Sequence, residues 1–233
     1  MEKKWQRDIK VTSIQRIGER NGKVRIIETE MLKIFNEDRT HIGEATREEV
    51  HRLGHWHEVF HCWFVSREDE VDYLYLQHRC SMKKDYPDLL DITAAGHLLA
   101  HETVEDGVRE IKEELGIALS FDELVSVGVM EDCATMENFI DKELVHLFIY
   151  KSTNPLSDFT LQKEEVSGIV KVKLEDFEKL WFGPIEEIHI QGFEMNDLGQ
   201  HVTVDQYVGR DRFVPHETSY YEGLIQSIKR ELK

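Results

Sequence analysis

The sequence predicts a chain of the α/β (α+β) class, and three observations carry that prediction. The run Trp56 to Ser66 (WHEVFHCWFVS) is apolar on both alternating faces, as a central strand requires. Lys142 to Tyr150 (KELVHLFIY) is a second run of this kind. Between them, Val104, Val108, Ile111 and Leu115 recur at helical spacing and form one apolar stripe.

The start of the chain alternates loosely around Asn21-Gly22, a type I′ turn dipeptide, so residues 1–30 read as an extension holding a β-hairpin. From Met31 a strand, a turn at Asn36 to Arg39 and a return strand follow, then a short helical turn over Arg47 to Arg52. Val71 to His78 is the expected partner of the central strand. Leu89 to Ala95 reads as one buried strand ending at Gly96, and Val127 to Met130 as another. Asp132 to Asp141 is polar and reads as a loop. Ile169 to Val172 reads as a strand and Leu174 to Trp181 as a short helix. Turn signals at Gly192 and Asp197 to Gly199 suggest an inserted hairpin within 185–208. Tyr220, Tyr221, Leu224, Ile228 and Leu232 mark a terminal amphipathic helix, whose aromatic pair reads as core.

Composition narrows the function. The 233 residues carry 29 Lys+Arg against 46 Asp+Glu, a net charge of −17, which argues against non-specific binding to nucleic acid or to an anionic membrane. Cys62, Cys80 and Cys133 are odd in number and unclustered, so a reducing, cytoplasmic setting is expected. No stretch approaches the ~18 apolar residues of a membrane span.

Chemistry concentrates between Gly96 and Ile117 (GHLLAHETVEDGVREIKEELGI). Glu110, Glu113 and Glu114 stand at i, i+3 and i+4, so on a helix their side chains share a face. Three carboxylates that close repel one another unless a cation joins them, and hard oxygen ligands suit Mg²⁺ or Mn²⁺. Gly116 stands where such a helix would stop. His51, His55, His57 and His61 fit no helical zinc spacing and read as packing or hydrogen-bonding groups.

The stretch resembles the Nudix box, G-x5-E-x7-R-E-U-x-E-E-x-G-U with U aliphatic. Arg109 to Ile117 matches at every specified position, and Gly96-x5-Glu102 matches as well. Three departures concern the helix start. Six residues (Thr103 to Val108) stand where the pattern has seven, His101 stands where many members carry glycine, and Gly107 lies inside the expected helix at a cost of about 1 kcal/mol relative to alanine.

From Leu32 to His97 the chain is similar to the branch that includes isopentenyl-diphosphate isomerases, through Leu32 to Phe35, Arg47 to His51, Trp56-His57, Leu76 to Arg79, Lys83, Tyr86-Pro87 and Leu90 to His97. Those isomerases use a cysteine immediately before the Gly-His, where this chain has Ala95.

The resemblance implies a mixed β-sheet sandwiched between helices in a Nudix domain over 31–182, with 183–233 as an extension packed on it. It implies a Mg²⁺- or Mn²⁺-dependent hydrolase of a diphosphate bond, in a nucleoside di- or triphosphate or a nucleoside diphosphate linked to another group, and a homodimer. Glu110, Glu113 and Glu114 would hold metal, and Arg109 would orient the glutamates. Glu143 or Glu165, and after them Glu102, would accept a proton. Phe64, Arg79, Lys83 and Gly96 would meet substrate. An isomerase acting through another residue, and a Nudix-fold binding module without turnover, are the alternatives.

Overall fold

The computed structural model describes residues 14–16, 26–28, 30–136, 139–196 and 198–232. Strand β1 (Ile14–Arg16) pairs antiparallel with β2 (Ile26–Glu28) in a small separate sheet. The Asn21-Gly22 turn expected between them lies outside the described residues.

Strands β3 (Met31–Phe35) and β4 (His41–Thr46) form a hairpin. Its turn is held by the Asn36 side chain, which accepts the backbone N–H groups of Asp38 and Thr40. Helix α1 (Arg47–Leu53) follows, capped by Thr46 with Glu49 reaching back.

The central strand β5 (Trp56–Glu68) turns into β6 (Val71–Arg79), but the two pair only from Val65 to Leu74 and then part. The segment expected to be one strand fills that gap as two. Strand β7 (Leu90–Asp91) pairs with β6, and β8 (Ala94–His97) pairs with β5. The break arises because the chain changes partner midway.

A 3₁₀ turn (Val104–Val108) then leads into α2 (Arg109–Leu115), the glutamate-bearing helix, which stops at Gly116. Strands β9 (Val125–Met136) and β10 (Phe139–Lys151) pair antiparallel, and β10 runs parallel to β5. The polar stretch expected as a loop is therefore mostly strand. Its described acids, Asp132 on β9 and Asp141 on β10, both line one cleft with α2.

Strand β11 (Val166–Lys173), α3 (Leu174–Phe182), β12 (Glu187–Met195), β13 (His201–Gly209) and α4 (Thr218–Glu231) complete the order. The main sheet runs β13-β12-β11-β6-β5-β10-β9. The hairpin β12–β13 continues the sheet beyond β11.

The two faces of β5 build two cores. Val59, Trp63 and Val65 pack with Phe177 and Leu180 of α3 and with Tyr220, Leu224 and Ile228 of α4. Phe60, Cys62 and Phe64 pack with Ile111 and Leu115 of α2. The result is the mixed sheet between helices that the sequence predicts. Among the described residues no helix is long and apolar enough to cross a membrane.

The shortened box is absorbed by the 3₁₀ turn. Gly107 lies there, buried, with the Phe60 ring so close that a Cβ would meet its Cγ and Cδ2. This reverses the sign expected from helix propensity. Gly107→Ala is expected to destabilise by about 1–3 kcal/mol, read from denaturant unfolding. A stabilised variant would show that Phe60 can move away.

Candidate functional site

A cleft of about 530 Å³ opens where β5 and β6 part. Helix α2 lines it with Arg109, Glu110, Glu113 and Glu114. The opposite side carries His51, His97, Asp141 and Glu143. The segment Lys83–Tyr86, the turn bearing Glu165, and Val214 to His216 close the rim.

Arg109 organises the glutamates. Its Nε donates to Glu102 Oε1 at 2.6 Å and its Nη2 to Glu102 Oε2 at 3.0 Å. Its Nη1 donates to Glu110 at 2.6 Å and to Glu113 at 3.1 Å. Glu102 also accepts the Leu99 N–H at 2.8 Å, so both its oxygens are engaged in holding the box loop. A Cβ on Gly96 would run into the Glu110 carboxylate, so this close approach needs glycine.

Glu114 is buried and, among the described residues, accepts only the Ala95 N–H, at 3.2 Å. Burial, then repulsion from Glu110, pushes its carboxyl well above the usual range. Burial raises Glu110 to about 7, despite Arg109. The helix thus holds two carboxyls that are costly to ionise without a cation.

A second cluster faces the same cleft. His51 Nδ1 lies 2.7 Å from the Arg47 carbonyl, and His57 Nδ1 lies 3.2 Å from the His55 carbonyl. A carbonyl only accepts, so both rings carry their proton on Nδ1 and leave an Nε2 lone pair. Those lone pairs point at Asp141 Oδ1, at 3.4 and 3.5 Å. All three atoms are buried acceptors without a hydrogen-bond partner. Donor atoms of His51, His57 and His97 lie within 4.8 Å of one another, as do those of His57, Asp141 and Glu143. Burial lowers His57 to about 4 and holds His97 well below the ordinary histidine range, so both rings are neutral. Facing acceptors, neutral imidazoles and carbonyl-fixed tautomers make this cluster compatible with a divalent metal ion.

Spacing along the sequence predicts packing roles for these histidines, because it fits no helical motif, whereas folding brings them together. The usable signal was Asp141-x-Glu143, two acids on one face of a strand. Position 143 is directly opposite His57 on β5 and Asp132 on β9.

The other expected residues separate. Glu143 lies inside β10, and burial beside Asp141 and Asp132 raises its carboxyl well above the usual range. His61 is buried and held at about 3, hence neutral, with Nε2 3.6 Å from Glu143. Glu165 reaches the cleft but is paired with Lys83. Arg79 donates to Asp91 at 2.8 Å and to the carbonyls of Asp85 and Tyr86, so it shapes the rim. Phe64 does not meet the cleft. It is fully buried against Tyr150 and Phe159, because its strand position faces α2.

His216 was not foreseen. It hydrogen-bonds Asp132 at 2.5 Å and Asp91 at 3.1 Å, pinning the segment before α4 across β9 and β7. Although burial opposes it, these two bonds raise the imidazole to about 10.

Comparison with known proteins places the chain in a family. No family model matches the chain. An uncharacterized Nudix hydrolase of Clostridium acetobutylicum is 36% identical over 202 residues, covering 87% of this chain and 98% of that protein. Nudix hydrolase 3 of Arabidopsis thaliana is 38% identical over 149 residues, of which the match spans 59% of this chain and 19% of the plant protein. The crystal structure of DR0079 from Deinococcus radiodurans superposes with a TM-score of 0.50 at 19% identity, over 64% of this chain and 86% of that one, a likeness of fold. The chain belongs to the Nudix hydrolase family.

Proposed function

We propose that this chain is a divalent-metal-dependent pyrophosphohydrolase acting on a small nucleotide, a nucleoside di- or triphosphate or a nucleoside diphosphate linked to a second group. One observation carries the reading. The Arg109-clamped glutamates and a cluster of His51, His97, Asp141 and Glu143, with His57 buried behind them, line a single cleft.

The residues fit two kinds of ion. Glu110, Glu113 and Glu114 offer hard oxygens suited to Mg²⁺ or Mn²⁺, and the histidine cluster offers nitrogens that suit Mn²⁺ or Zn²⁺. When bound, such ions neutralise phosphate charge and acidify water. Arg109 orients Glu110 and Glu113. Glu143, with its raised affinity for a proton, is the better-placed acceptor of a proton from attacking water, since Glu165 is engaged by Lys83. Arg47, Arg79 and Lys83 at the rim are paired with acids, so bound ions would supply most of the positive charge that an anionic substrate needs.

The isomerase alternative lacks its thiol. Among the described residues no cysteine lines the cleft, Cys62 and Cys80 are buried elsewhere, and Ala95 occupies the expected place.

The test is phosphate release from nucleoside di- and triphosphates, nucleotide sugars, dinucleoside polyphosphates and prenyl diphosphates, with Mg²⁺, Mn²⁺ or chelator. Turnover that chelator abolishes supports the hydrolase. Tight binding without turnover on every compound would make the chain a binding module. In a calorimetric Mn²⁺ titration, His57→Ala is expected to lose one binding equivalent and keep the other. Unchanged stoichiometry would remove the histidine cluster from the metal chemistry.

A further inference from the structure

The sheet face opposite α2 is covered by the end of the chain, and α4 hydrogen-bonds His61, which in turn faces Glu143. Tyr220 is fully buried, with its hydroxyl 2.9 Å from Trp63 Nε1 and 3.0 Å from His61 Nδ1. An indole N–H only donates, so the Tyr220 oxygen accepts from Trp63. The hydroxyl has one proton to place, and among the described residues His61 Nδ1 is the acceptor bonded to it. With Nδ1 accepting, the neutral imidazole carries its proton on Nε2. That nitrogen faces Glu143 Oε2 at 3.6 Å, a separation that substrate closure can shorten.

We propose that Tyr220 is a positioning residue. By donating to His61 it fixes the Nε2–H tautomer, and His61 then offers one N–H that aims the Glu143 carboxyl into the cleft. The last segment of the chain thereby completes the site. This rests on the reading of Glu143 as part of the reactive cluster. Apart from accepting the buried Trp63 N–H, a role that Trp63→Phe removes, the hydroxyl is not called for by packing, because a phenylalanine would fill the same space.

The tautomer can be read directly from long-range ¹H–¹⁵N correlations of the histidine rings in the full chain. Wild type is expected to show His61 as Nε2–H. Tyr220→Phe is expected to lose that state for the other tautomer or a mixture, while Trp63→Phe keeps it, since the tyrosine proton remains. On the compound found by the panel, Tyr220→Phe is expected to lower kcat about tenfold with KM unchanged. An Nδ1–H tautomer in wild type would overturn the proposal without any variant. So would a Tyr220→Phe protein with tautomer and kcat unaltered, or a Trp63→Phe protein that shifts the tautomer equally. The tautomer is measured on resting protein, so failure of the hydrolase reading and failure of this one are told apart.

Discussion

Glu114→Gln is expected to lower metal-dependent phosphate release by about 10²- to 10⁴-fold and at the same time to raise folding stability. The two effects have one cause. Glu114 is buried with a single backbone donor, and both burial and Glu110 oppose its charge. A glutamine keeps the bond from Ala95 and removes the buried acid, for a gain on the order of 1 kcal/mol. Activity on the panel substrate, beside urea unfolding, measures both. Glu113→Gln, at a more exposed position paired with Arg109, is expected to lose activity with little change in stability. Full activity in both variants would remove α2 from the chemistry.

The second large effect is on folding. His216→Gln is expected to destabilise by about 3–5 kcal/mol, because Asp132 loses its cation and Asp91 is left with Arg79 and the Ile92 N–H. The pH dependence has a definite sign. His216 is raised from its ordinary 6.5 to about 10 in the folded protein. Its contribution is therefore full below pH 6.5 and is lost as pH rises through 10. Asp132 is lowered, by its bonds to His216 and to the Glu217 N–H, and Asp91 by His216 and Arg79, both against burial. Their contribution is present above the ordinary aspartate value and is lost in acid. Wild-type stability should thus fall more steeply between pH 6.5 and 10 than that of the variant, which keeps only the fall contributed by the buried glutamates Glu110, Glu114 and Glu143. Denaturant midpoints across that range decide it. Parallel curves would mean that the clamp carries no charge.

Period and local motif made much of this molecule legible. The two-sided apolar run of β5 announced a central strand, and the stripe ending at Leu115 announced the helix that packs on it. Arg109-Glu110-x-x-Glu113-Glu114 located the acidic face because all its members lie within two helical turns, where spacing alone sets direction. The terminal helix was readable for the same reason, since Tyr220, Leu224 and Ile228 repeat at i+4. Where the reading failed, long-range pairing had intervened. The stretch from Leu89 to Ala95 breaks because its partner changes from β6 to β5. The polarity of Asp132 to Asp141 predicts a loop, yet Asp132 and Asp141 lie on strands and line the cleft. The resemblance places Phe64 at the substrate, yet the parity of its strand position turns it into the core.

Local chemistry therefore determined the class of fold and the helix that bears the carboxylates, since both follow from contacts a few residues apart. Which side chains meet across the cleft was decided only on folding. His51, His57, His97 and Asp141 come from four separate elements, and His216 and Tyr220 arrive from the far end of the chain. Their positions depend on strand register, and register is a property of the whole sheet.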